Sequence, residues 1–75
     1  ASFYLSEKSD LKMMVYDGLG KLIRVLADDT HSAGPGKVIW KGKDQYGNPV
    51  PNGIYYIRVI CNDTLQNHKL VKMNQ

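Results

Sequence analysis

Few residues in this chain have side chains able to do chemistry on a substrate, and their spacing brings few of them together. The two histidines, His31 and His68, are separated by the whole apolar middle of the sequence. No His-x-His or Cys-x-x-Cys spacing occurs, so the local pattern of a zinc site is missing. A nucleophile triad needs Ser or Cys, His and an acid to converge, and no short-range pattern directs that. Asp28-Asp29 and Asp44 with Asn48 offer oxygen ligands to calcium, but neither matches a twelve-residue loop ending in Glu. Asp44 is better explained as a turn cap, and Asp28-Asp29 as solvated acids. Gly18, Gly20, Gly34 and Gly36 precede no helix, which a phosphate cradle requires, and so are expected to serve turns. No catalytic, cofactor-binding or metal site is therefore expected.

Aromatic side chains are the more open question. Trp40, Tyr46, Tyr55 and Tyr56, with Tyr4 and Tyr16, are of the type that stacks on sugar rings in β-sandwich carbohydrate-binding modules. Trp40 alternates in phase with Val38, and Tyr55 with Ile57 and Val59, which assigns both to a core. Tyr46 at a turn tip, Tyr56 and Tyr16 are the candidates for exposure. Nucleic acid is not expected, because only Lys41 and Lys43 flank the aromatic loop and the +3 net charge is spread along the chain. No membrane insertion is expected either, since no apolar stretch approaches about 18 residues. A lone Cys61 cannot form an internal disulfide, leaves the redox compartment open, and is expected as an inert core thiol. Asn62-Asp63-Thr64 matches the N-glycosylation acceptor pattern, which also arises often by chance.

The elements that must position these residues are strands. At 75 residues there is room for one domain, near the lower limit for a single apolar core. Tyr, Val and Ile enrichment favours strands over helices. The clearest is Ile54–Cys61, where Tyr55, Ile57, Val59 and Cys61 alternate with Ile54, Tyr56, Arg58 and Ile60, and Arg58 marks the wetter face. Ser2–Ser6, Leu11–Tyr16, Lys21–Ala27, a segment carrying Val38 and Trp40, and Gln66–Met73 complete the set. Apolar residues in Lys21–Ala27 do not alternate cleanly, which a bulge near Ile23–Arg24 or burial of both faces would explain. Asp28–Gly36 has loop composition. Asp17-Gly18-Leu19-Gly20 and Asp44-Gln45-Tyr46-Gly47 carry the Asp-x-x-Gly signature of type I turns, and Val50-Pro51-Asn52-Gly53 reads as a further turn. Lys69 and Lys72 suit a strand at a sheet edge. Six or seven short strands with frequent turns predict an all-β fold, a small immunoglobulin-like antiparallel β-sandwich.

Two of these stretches resemble a known family. MMVYDGLGKLIRVLAD is similar to the VYD-x-x-G-(R/K) hairpin of bacterial FlgD-like immunoglobulin domains, and IWKGKDQYGNPVPNGIYYIRV to their W-x-G-x-D-x-x-G signature, while HKLVKM resembles their closing strand. Tyr16, Asp17, Gly20, Trp40, Gly42, Asp44, Gly47, Gly53 and Tyr55 match that signature, all as framework or turn positions. Gly18, where larger residues are common, and Cys61 depart from it. The resemblance implies one domain over residues 1–75, without an active site or cofactor. Such modules occur in the flagellar hook-capping protein and, more often, at the C-termini of secreted bacterial enzymes, proteases and adhesins. Closely similar domains are sorting signals for type IX secretion. The implied function is export sorting, surface attachment or structural interaction of an extracellular or cell-surface bacterial protein. Upstream domains of the parent and secretion or surface machinery are the implied partners. Recognition would use Tyr46, Tyr56, Lys69 and Lys72. The alternatives are glycan binding and a subunit of an extracellular assembly such as a hook cap.

Overall fold

The computed structural model describes residues 2–73, and within them every regular element is a strand. In chain order these are β1 (Ser2–Leu5), β2 (Ser9–Asp17), β3 (Leu22–His31), β4 (Gly34–Lys37), β5 (Gly53–Cys61) and β6 (Thr64–Lys72). They form a four-stranded sheet in the order β3-β2-β5-β6 and a two-stranded sheet β1-β4, all neighbours antiparallel. The predicted all-β, two-layer architecture is the one observed.

Alternation explains what lies between the layers. Leu11, Met13 and Val15 on β2 pair with Cys61, Val59 and Ile57 on β5, so their side chains share one face of the sheet. Val15 is completely buried, and Val50 and Tyr55 close around it with Ile23, Leu26, Trp40, Ile57 and Leu70 packed outside them. Burial of a single Val of this kind stabilises by about 1.5–3 kcal/mol, a large share of what so small a core supplies.

The irregular apolar pattern of the third strand has the cause its sequence suggests. The β2–β3 register slips between Met13 and Met14, and again between Val15 and Tyr16, leaving Leu26 and Ile23 as the extra residues. A bulge sets two neighbours against one partner, which turns both Ile23 and Leu26 toward the core.

Three expectations are corrected. Asp28–Gly36 is not a loop: β3 continues to His31, and β4 begins at Gly34. Its composition is polar because this end of β3 is exposed, and it is held by register rather than burial. Ser9 pairs with His31, the Thr30 hydroxyl donates to Asp10 Oδ1 at 2.8 Å, and His31 Nε2 lies 2.6 Å from Asp29 Oδ1. The Nε2 atom is buried and makes no hydrogen bond. In β4, Gly36 is required by close approach, because the Phe3 ring occupies the space a Cβ would take. Second, Val38–Trp40 is not a strand. The β1–β4 ladder runs from Leu5↔Gly34 to Ser2↔Lys37, after which the chain turns into local bonds such as Trp40 Nε1 to the Lys43 carbonyl at 2.9 Å. Third, Val50–Gly53 bends at Asn52, held by the Tyr55 hydroxyl donating to the Pro51 carbonyl at 2.6 Å. Two strands also begin earlier than expected, β2 at Ser9 rather than Leu11 and β6 at Thr64 rather than Gln66.

The two Asp-x-x-Gly segments fold alike. Asp17 Oδ1 accepts from the backbone N–H of Leu19 and Lys21, both at 2.9 Å, while Gly20 N–H donates to the Asp17 carbonyl. Asp44 Oδ1 accepts from Tyr46 at 2.9 Å and Asn48 at 3.0 Å, and Gly47 N–H donates to the Asp44 carbonyl. Gly20 and Gly47 take φ of 86° and 83°, where a Cβ is disfavoured.

Candidate interaction surface

Most of the signature residues converge at one end of the sandwich as a frame. Trp40 is half-buried, its ring centroid 5.1 Å from that of Tyr55 at a 60° tilt. Gly42 is buried under the stem of Lys72, and its carbonyl accepts from Val50 N–H at 3.0 Å. Arg24 reaches across from β3 to the Asp44 carbonyl at 2.6 Å, and Gln45 N–H donates to the Ile23 carbonyl at 3.0 Å. These contacts fasten the 38–52 connection onto β3. Gly53 opens β5 directly after it.

The residues proposed for recognition are dispersed. Tyr46 is 87% exposed on its turn, lining a cleft with Asp17, Lys21 and Pro49. Tyr56 stands on the outer face of the four-stranded sheet, paired with Tyr16 on one side and Lys69 on the other. Tyr56 is not among the residues that line that cleft. Lys72 is not free for a partner: it is half-buried, with its Nζ 3.5 Å from Asn52 Oδ1. Among the described residues no group of three or more His, Cys, Asp and Glu side chains lies close enough to hold a metal ion. Asn62 uses its side-chain oxygen to accept from Asp10 N–H at 3.0 Å, while its own N–H donates back to the Asp10 carbonyl. These two bonds tie the β5–β6 turn to β2.

What the sequence reading missed is the outer face itself. Cross-strand pairs share a face, so the register lays out rows across the sheet. One row is Leu22–Tyr16–Tyr56–Lys69, the next is Val25–Met14–Arg58–Asn67, and Asp28–Lys12–Ile60–Leu65 follows, with Ile54–Val71 at the opposite end. Ile54, Tyr56, Leu65 and Val71 are 40–56% exposed there. Arg58 stands exposed on this face, which is the wetter one as its charge suggests, with its guanidinium 5.1 Å from the Tyr16 ring centroid and its Nε donating to Asn67 Oδ1 at 3.3 Å. The signal was present in β5, where Ile54, Tyr56 and Ile60 are apolar on the face opposite Tyr55. The result is an apolar surface carrying Lys12, Arg58 and Lys69 with two acids, Asp10 and Asp28, an arrangement suited to docking a protein surface.

A two-layer antiparallel sandwich of six strands, with its tyrosine-to-backbone bond and capped turns, is a small immunoglobulin-like domain. Residues 1–64 match the family described as FlgD Ig-like domain, and the chain belongs to it. That family fold is a non-catalytic accessory one. The match stops at Thr64, but β6 pairs with β5 along its whole length, so it completes the same sheet. No curated protein and no solved structure matches the chain.

Proposed function

We propose that this domain is a non-catalytic accessory module, C-terminal in a longer bacterial protein that is secreted or held at the cell surface, and that it acts by docking. The observation that carries this is the uncovered apolar face of the four-stranded sheet, centred on Tyr56 and carrying Lys12, Arg58 and Lys69. A domain that buries one face of its main sheet and leaves the other apolar offers that face to a partner. The partners on this reading are upstream domains of the parent and proteins of the secretion or surface machinery. Export sorting of the type IX kind is the role that the resemblance of the VYD hairpin, the Trp40–Tyr55 stretch and the HKLVKM strand supports. Deleting residues 1–75 from the parent is expected to abolish export or surface display; unchanged display would end the sorting reading.

A second reading, a subunit of an extracellular assembly, is favoured by membership of a family named for FlgD. The same deletion separates the two, since an assembly subunit would leave export intact and stop the assembly. Glycan binding draws less support, because Tyr46 and Tyr56 form no shared platform. Retention on an insoluble polysaccharide that Tyr46→Ala abolishes would restore it.

A further inference from the structure

The four-stranded sheet has two edges, and only one is closed. Along β3 the two bulges twist the edge, and Arg24 and Gln45 N–H tie the 38–52 connection over it. β6 is nine residues without a register shift, and among the described residues nothing pairs with its outer side. Asn62 and Asp63 form a two-residue turn, with Asn62 at φ 52°, so the flanking pair Cys61↔Thr64 is hydrogen-bonded and such pairs alternate along the ladder. Thr64, Gln66, His68, Leu70 and Lys72 therefore bond to β5. Leu65, Asn67, Lys69 and Val71 aim their N–H and C=O groups outward.

We infer that this edge pairs with the β6 edge of a second copy of the chain, antiparallel, about a two-fold axis at His68. That register pairs all nine residues. It sets Leu65 opposite Val71 of the second copy, Asn67 opposite its Lys69, and Thr64 opposite its Lys72. The outward-bonding residues meet one another, as a hydrogen-bonded ladder demands, and His68 meets His68 of the second copy as a non-hydrogen-bonded pair. Moving the axis to Lys69 sets the two Lys69 ammonium groups against each other, and moving it to Asn67 sets Leu65 against Lys69. The lysines of this edge therefore select one register rather than forbid pairing. The outer faces of the two sheets then join, with the exposed Leu65 and Val71 covering each other across the seam. A second copy is the occupant that this pattern fits, because the strand matches its own reverse: exposed Leu65 meets Val71 and no lysine is set opposite a lysine. The inference does not depend on the export reading.

The test is sedimentation of the 75-residue chain over a wide concentration range, with far-UV circular dichroism to confirm that each variant is folded. The expected result is a concentration-dependent species of twice the 8.5 kDa monomer mass. Asn67→Lys places like charges opposite each other twice per dimer and is expected to weaken association about tenfold, while Asn67→Glu, facing Lys69 twice, strengthens it by a similar factor. In the non-hydrogen-bonded pair the Cα atoms approach to about 4.5 Å, so His68→Cys should oxidise to a disulfide-linked dimer and Gln66→Cys should not. A chain that stays monomeric at millimolar concentration overturns the inference. So does an association indifferent to the charge at position 67, or cross-linking equal at positions 66 and 68, since either places the contact on another surface.

Discussion

On the inner face of the four-stranded sheet, Leu11, Met13, Val15 and Tyr55 are buried under β1, β4 and the 38–52 connection. On the outer face, Ile54, Tyr56, Leu65 and Val71 are no less apolar and remain 40–56% exposed. Alternation sorts side chains onto two faces but does not say which face the rest of the chain will cover. Coverage here is decided by the second layer, which has two short strands to set against four longer ones. The inner face is thus the place where substitutions cost stability, and the outer face the place where they cost binding.

Substitutions on the inner face should have the largest effect. Val15→Ala removes two methyl carbons from the one completely buried side chain and is expected to cost about 2–3 kcal/mol, read as a fall in the urea midpoint at constant slope. Asp44→Ala strips the acceptor from two backbone N–H groups and should cost about 1–2 kcal/mol. Asp17→Ala removes an equivalent pair, and because the two turns share no partners, the double mutant should lose the sum. A double mutant far from that sum would show that the turns are coupled. Tyr55→Phe leaves the Pro51 carbonyl without its hydroxyl donor while keeping the ring against Trp40, for a loss of about 1 kcal/mol in thermal unfolding. The smallest change belongs to the outer face. Ile54→Ser or Val71→Ser should shift stability by no more than about 0.5 kcal/mol, and a loss matching that of Val15→Ala would erase the distinction between the faces.

Much of this architecture was legible because it is local. Asp17 and Asp44 announce their turns four residues at a time, and the β5 alternation places Tyr55 inside and Tyr56 outside without help from the rest of the chain. Even the bulges left a trace, in the broken alternation of Leu22, Ile23, Val25 and Leu26. What escaped detection depends on distant partners. Gly34-Pro35-Gly36 becomes a strand because Phe3 lies over Gly36 and β1 supplies the ladder, and no local preference encodes that. Trp40 lies beyond the end of the same ladder. Lys72, exposed by type, is half-buried because Gly42 leaves room for its stem. Arg58 marked the more exposed face correctly, but one charge among Ile54, Tyr56 and Ile60 did not announce how much apolar surface that face carries.

The proposal that the uncovered face is the working surface is tested most directly in the intact parent protein carrying Ile54→Ser, Tyr56→Ser and Val71→Ser together. With the unfolding midpoint of the 75-residue chain preserved, loss of export or surface display is the predicted result. Full display by a folded triple variant would contradict it.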